Sequence, residues 1–347
     1  MTKQIQVGSV AIGGGAPIVI QSMTNTDTRD AAATLRQIDA LAQAGCAVVR
    51  CAVPDKEAAH ALGEICEKSP IPVVADIHFD YRLALESMAA GVHKVRINPG
   101  NIGADDRVRA VVNEATRRNI PIRIGVNSGS VEREILAKHG APTPEALVES
   151  ALYHVSLLQR FDFDDICISI KSSSVPYTMR AYQLMHEQTD YPLHLGVTEA
   201  GTDYMGTIKS AAGIGGLLAL GIGDTIRVSL TADPVKEIAA AQAILKAVGL
   251  QEDGINVVSC PTCGRTRIDL IGIATEVEKR CNAIRGKKLK VAVMGCAVNG
   301  PGEAREADLG IAGGDGVGLI FRKGEILRTV PQEELVDALM AEIAAYE

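Results

Sequence analysis

The chain has 347 residues and a formal charge of −7, with no Trp and only four Phe. That length suits two domains of about 100–200 residues, or one large barrel with an appendage; the acidic balance excludes a general nucleic-acid binder, which needs a basic surface. No run approaches the ~18 apolar residues of a membrane-spanning helix, and Met1–Gln6 has no hydrophobic signal region, so the expected location is the cytoplasm, away from any membrane.

From residue 17 to about 249, short apolar runs alternate with amphipathic stretches. The runs are Pro17–Met23, Ala47–Val53, Ile71–Phe79, Lys94–Pro99, Ile120–Ser128, Asp165–Ser172, Leu193–Ala200 and Thr225–Thr231. Between them lie Ala-rich helical patterns such as Ala31–Ala44, Asp105–Arg118 and Pro234–Val248. Alternation of this kind predicts parallel strands joined by helical crossovers. Eight such units in about 250 residues predict an α/β fold, an N-terminal (β/α)8 TIM barrel over residues 1–250, with an open doubly wound sheet as the rival. Gly13-Gly14-Gly15 neither follows a strand nor opens a helix, as a dinucleotide fingerprint must, and reads as a turn. After Gly249 the pattern changes. Residues 251–347 are expected to form a smaller α/β domain with a helix near Asp269–Arg285, a strand Leu289–Met294, a Gly-rich region at 310–318 and a terminal helix from Gln332.

Several barrel runs end in polar residues two apart: Asp76 and His78, Arg96 and Asn98, Gly125 and Asn127, Ser169 and Lys171, Arg227 and Ser229. Period two puts each pair on one face of its strand. Barrel active sites lie at the C-terminal ends of the strands. Arg50, Arg96, Arg123, Lys171 and Arg227 come from five strands and are expected to converge on that mouth. Five cations in an acidic chain point to a strongly anionic substrate such as a diphosphate. The competing reading pairs them in salt bridges with Asp76 and Glu199.

In the second domain Cys260-Pro261-Thr262-Cys263 is followed by Gly295-Cys296 and by Glu303, each near turn-forming Gly or Pro. Thiolates select zinc, Cu(I) or iron–sulfur clusters. A closed zinc site wants four Cys or His, and Cys281 lies mid-helix with no turn beside it. The set therefore reads as an iron–sulfur site, with structural zinc as the alternative. Cys46, Cys51, Cys66 and Cys167 sit in apolar contexts and read as inert buried thiols. Residues 265–290 carry eight Lys or Arg against three acids; Arg265 and Arg267 could dock an acidic electron carrier, whereas Lys279 and Lys287 read as a solvated face.

Several longer stretches, Ser22–Thr26, Val95–Gly103, Gly125–Ser130, Leu195–Gly201, Cys260–Arg265 and Met294–Glu303, closely resemble motifs of the bacterial 4-hydroxy-3-methylbut-2-enyl diphosphate synthases, in the same order and over nearly the whole chain. The resemblance implies a 4Fe-4S cluster held by Cys260, Cys263, Cys296 and Glu303. It implies reductive ring opening and dehydration of 2-C-methyl-D-erythritol 2,4-cyclodiphosphate with two electrons from flavodoxin or ferredoxin, in a head-to-tail homodimer.

On that reading Arg50, Arg96, Arg123 and Lys171 clamp the diphosphate, and Asn98, Asn127, Arg227 and Ser229 complete the pocket. Asp76 and His78 orient the substrate or a water. Glu303 is both ligand and catalytic group, and Glu199, expected in a water-poor mouth, is the candidate proton donor. Two rivals stand beside it. One is a cluster-free pterin-type barrel enzyme with structural zinc; the other is a non-enzymatic iron–sulfur scaffold.

Overall fold

A computed structural model describes residues 1–251, 254–284, 286–297 and 304–346. The chain divides into two compact units, Met1–Leu250 and Gln251–Glu347.

The first unit opens with a small antiparallel hairpin, β1 (Ile5–Val7) and β2 (Val10–Ile12). Gly13, Gly14 and Gly15 then turn the chain, all with positive φ. Eight parallel strands follow: β3 (Val19–Met23), β4 (Val48–Ala52), β5 (Val73–Asp76), β6 (Lys94–Ile97), β7 (Ile122–Asn127), β8 (Ile166–Lys171), β9 (His194–Leu195) and β10 (Thr225–Ile226). Their order is β8-β7-β6-β5-β4-β3-β10-β9, and a bridge between Ile168 and Leu193 closes the ring. The strands are Val- and Ile-rich because both faces are covered, by the interior on one side and by helices on the other. The helices start where the side chains of Asp30, Asp55, Asp80, Ser174 and Asp233 accept backbone N–H bonds.

Following the register once round the barrel returns to β3 eight residues along, the shear of a (β/α)8 barrel. Inward side chains therefore fall into layers of four from alternate strands. At the N-terminal end Val19, Val48 and Val74 pack with Ile5, Val7 and Ile12 of the hairpin, which plugs the barrel floor.

The second unit is one five-stranded sheet in sequence order: β11 (Gly254–Ser259), β12 (Lys288–Met294), β13 (Leu309–Gly313), β14 (Val317–Arg322) and β15 (Glu325–Pro331). β11, β12 and β13 are parallel, and the last three form an antiparallel meander. Helices Leu270–Asn282 and Leu335–Ala345 bury Leu270, Ile273, Val277, Leu335, Leu339 and Ile343 against Val291, Val293, Ile311 and Ile320. Cys281 packs in this same core. The Gly-rich region at 310–318 is thus two strands and their turn, and Gly254 begins a strand.

Candidate active site

The register sorts the polar barrel residues by depth. Arg50, Arg96, Ser169 and Arg227 share one layer, from β4, β6, β8 and the end of β10. The layer nearer the mouth holds Met23, Asp76, Gly125 and Gly196, and the next holds Ala52, Asn98, Lys171 and Ser229. Arg123 lies one layer below the arginine ring and is 1% exposed, so the five cations line a shaft rather than a single rim.

The two glycines have a packing reason. A Cβ on Gly125 would lie 2.3 Å from Arg96 Nε, and one on Gly196 would lie 2.6 Å from Lys171 Nζ and 2.9 Å from the Arg227 carbonyl oxygen. Their missing side chains are the space that the cations occupy.

Asp76 is buried between two guanidiniums, Arg96 Nη1 at 3.3 Å and Arg50 Nε at 3.7 Å. Burial alone would raise its carboxyl, but Arg50, Arg96 and Arg123 hold it at about 2. Among the described residues the Arg50 guanidinium otherwise donates only to the Met23 sulfur, at 2.9 and 3.2 Å, a weak acceptor. Burial pushes the Arg50 guanidinium well below its usual value, opposed by Asp76 and reinforced by Arg123, Arg227 and Arg96. Burial and neighbouring arginines likewise depress Lys171, and burial with Arg96 brings Arg123 down to about 10.

A second buried carboxylate, Glu237, escaped the sequence reading. It accepts from Ser22 Oγ at 2.9 Å and from the Leu230 N–H at 3.1 Å, and it lies 3.7 Å from Arg227 Nη2. The available signal was its place on the apolar face of helix Pro234–Ala247, alongside Ala240, Ala241 and Ile244; an acid in a first helical turn is usually read as complementing the dipole.

The interior thus gathers Arg50, Lys94, Arg96, Arg123, Lys171 and Arg227 against Asp76 and Glu237. Arg123 Nε and Nη1, Arg227 Nε and both amide atoms of Asn98 have no hydrogen-bond partner among the described residues. Salt bridging thus accounts for only part of the charge gathered there.

A pocket of about 670 Å³ opens beside the ring. Its walls include His78, Arg96, Asn98, Asn127 and Glu199, together with the loop of residues 128–133. Arg50, Asp76, Arg123, Lys171, Arg227 and Ser229 do not line it. His78 is exposed on the loop beyond β5. Glu199 faces the pocket with left-handed backbone, φ 52°, a conformation that costs a non-glycine residue of order 1–3 kcal/mol. Its expected water-poor setting is not found: Glu199 is exposed.

In the second unit Cys260 follows β11 and Cys296 follows β12, its parallel neighbour. The Gly295 N–H donates to Cys260 Sγ at 3.2 Å, the kind of bond that tunes cluster sulfurs. Cys263 is exposed, and bonds from the Arg265 backbone and side chain lower its thiol pKa, favouring thiolate. Among the described residues no three His, Cys, Asp or Glu side chains group around one metal position. Glu303 lies outside the described residues. The donor set fits a thiolate-held group: two sulfurs come from adjacent strand ends, one receives an N–H bond, and the fourth Cys of the unit is committed to the core.

Burial raises Cys46 and Cys51 to about 11 and Cys66 to about 12, and it also raises Cys167, as suits inert thiols. Among the basic residues of 265–290, Lys287 donates to the Ile343, Ala344 and Tyr346 carbonyls, capping the last helix rather than facing solvent. Arg280 pairs with Glu276 and Asp337. Arg267 meets Asp315 at 3.5 Å with both side chains exposed.

Residues 2–242 match the family described as the GcpE TIM-barrel domain, and residues 256–345 match the GcpE protein C-terminal domain. A 4-hydroxy-3-methylbut-2-en-1-yl diphosphate synthase (flavodoxin) of Geobacter sulfurreducens is 62% identical over 342 residues, 99% of this chain and 97% of that protein. One of the same description from Ruminiclostridium cellulolyticum is 61% identical, with the same coverage. The solved structure of a Bacillus subtilis spore coat polysaccharide biosynthesis protein shares the fold alone: TM-score 0.50, 13% identity, 72% of this chain and 75% of that one. With both domain models matched in order and relatives of this identity over almost its full length, the chain belongs to the GcpE family.

Proposed function

We propose that this chain is an oxidoreductase that converts 2-C-methyl-D-erythritol 2,4-cyclodiphosphate to 4-hydroxy-3-methylbut-2-enyl diphosphate, with flavodoxin as electron donor. The observation that carries it is the cationic upper shaft: Arg50, Arg96, Lys171 and Arg227 against Asp76 and Glu237, with Arg227 Nε and both amide atoms of Asn98 unpaired among the described residues. In the balanced reaction one ring C–O bond and one carbon–hydroxyl bond break, two electrons and two protons enter, and one water leaves. The pterin-type enzyme and the scaffold find no support, since relatives that match end to end are described as diphosphate synthases.

The roles of this chain's residues follow from their depth. Arg96, Arg227 and Arg50 form the layer best placed to receive phosphate oxygens, with Arg50 and Arg96 pre-oriented by Asp76. Lys171, Asn98 and Ser229, nearer the mouth, hold the outer phosphate and the carbon skeleton. Asn127 and His78 bound the pocket that continues from Arg96. Glu199, fixed by its backbone and open to the pocket, delivers a proton to the departing oxygen. Cys260, Cys263 and Cys296, with Glu303 as the fourth ligand, would hold a 4Fe-4S cluster. When bound, that cluster supplies single electrons and a Lewis-acidic iron. A cytoplasmic homodimer is part of this proposal.

The test is metal and sulfide content after anaerobic reconstitution, followed by assay on the cyclic diphosphate with reduced flavodoxin. About four iron and four sulfide per chain with product formation support the reading. One zinc without sulfide, or a loaded protein that leaves the cyclic diphosphate intact, overturns it.

A further inference from the structure

Beneath the arginine ring the barrel carries polar groups that the mouth does not use. One layer down, Gln21, Val74, Arg123 and His194 face inward from β3, β5, β7 and β9. The next layer holds Val48, Lys94, Cys167 and Thr225 from the other four strands. Gln21 and Arg123 are 1% exposed, and Lys94 and His194 are 0% exposed. Among the described residues, Lys94 Nζ, His194 Nε2, Arg123 Nε and Nη1 and both amide atoms of Gln21 lack a hydrogen-bond partner. Among the described residues the side-chain link between the two layers is His194 Nδ1 to Thr225 Oγ1, at 3.3 Å.

Among the described residues no carboxylate acts on Lys94, and Arg123 feels Asp76 only at a distance, from the layers above. Asp76 is engaged by Arg50 and Arg96, and Glu237 by Ser22, Leu230 and Arg227, all toward the mouth. Cys167 shares the Lys94 layer, but burial keeps its thiol protonated. Below lies the apolar floor sealed by the hairpin. A buried cation without a counter-charge is among the costliest arrangements in a folded chain. Of the unpaired atoms Lys94 Nζ, Arg123 Nε and Nη1 and Gln21 Nε2 are donors and Gln21 Oε1 is an acceptor, while His194 Nε2 donates in the tautomer whose Nδ1 accepts from Thr225 Oγ1. A water must donate as well as accept and needs two to four partners; an anion needs donors only.

We propose that the two layers beneath the arginine ring bind an occluded monovalent anion, chloride in the cell, with Lys94 and Arg123 as cationic partners and Gln21 and His194 as neutral donors. This anion is separate from the substrate, because the arginine ring lies between them, and the proposal stands whether or not the mouth takes a diphosphate.

The test uses the full chain crystallised with bromide in place of chloride, and anomalous scattering at the bromine edge. The expected result is a peak at hydrogen-bonding distance from Lys94 Nζ in wild type, absent in Lys94→Met. In solution, chloride exchanged for gluconate at equal ionic strength should lower the wild-type Tm by about 2–4 °C when chloride exceeds its dissociation constant several-fold, and should leave Lys94→Met unmoved. A map with only water or nothing between the layers, or a wild-type Tm indifferent to the exchange, overturns the proposal. If Lys94→Met does not fold, the wild-type bromide map decides alone.

Discussion

Replacing Asp76 by Asn keeps the side-chain shape and removes one charge from between Arg50 and Arg96. In the folded chain its carboxyl titrates near 2 against an ordinary 3.8. The folded pKa is depressed, so the stabilisation is fully present above about pH 4 and is lost as pH falls through about 2. The shift of nearly two pH units corresponds to about 2.5 kcal/mol. Removing one partner of a buried pair costs about 3 kcal/mol at the lower end, since it strands the remaining charges. For a unit of this size that lowers Tm by about 6–12 °C at pH 7. Melts followed by circular dichroism at pH 7, 5, 4 and 3 should show a wide gap between wild type and Asp76→Asn that narrows below pH 4. Pyrophosphate should bind the variant at least as well as wild type, because the shaft has become more positive. A Tm within about 1 °C of wild type at pH 7, or a gap that stays constant into acid, would refute the claim that this carboxylate is the structural counter-charge of the ring.

Arg123→Met, one layer beneath the ring, should leave pyrophosphate affinity by calorimetry within about twofold of wild type, and should make Tm as indifferent to chloride as Lys94→Met does. Gly196→Ala places a Cβ against Lys171 and against backbone; we expect KM for the cyclic diphosphate to rise about tenfold while the circular dichroism spectrum keeps its barrel signature. Cys263→Ser and Cys296→Ser should lose iron and sulfide on reconstitution, and Cys281→Ala, altered in the helix core, should retain both; chemical analysis of the three decides. Glu199→Gln should lower kcat by at least about 100-fold with little change in KM, and wild-type turnover in that variant would remove Glu199 as the proton donor.

The barrel was legible because each strand is a short β-branched run bounded by turn residues and each crossover keeps helical periodicity. Strands exposed along most of their length were not. β15 presents nearly every residue to solvent and β11 buries little beyond Ile255, so neither shows alternation; β1 and β2 are too short to carry a pattern. In the site, the period-two pairs fall on inward positions except His78, which lies exposed on the loop beyond β5, and their depth depends on barrel shear, which no single strand reveals. That is why Arg123 was expected at the mouth and lies beneath the ring. Glu237 was hidden by its ordinary place in a first helical turn. The exposure of Glu199 follows from a left-handed backbone at a non-glycine position, which the sequence does not announce.

The hairpin that plugs the barrel floor ties the beginning of the chain to its far side. Thr2 donates to Asp224, the Lys3 N–H donates to the Asp190 carbonyl, and Lys3 pairs with Asp164. These partners lie more than 150 residues later in sequence, so during synthesis Thr2 and Lys3 must wait until β8, β9 and β10 have emerged before they can dock. Contacts of such long range are made late. Until then the apolar side chains of β1 and β2 stay uncovered on the ribosome, and any fusion that fastens residues 1–4 elsewhere delays the sealing of the barrel in proportion to how firmly it holds them.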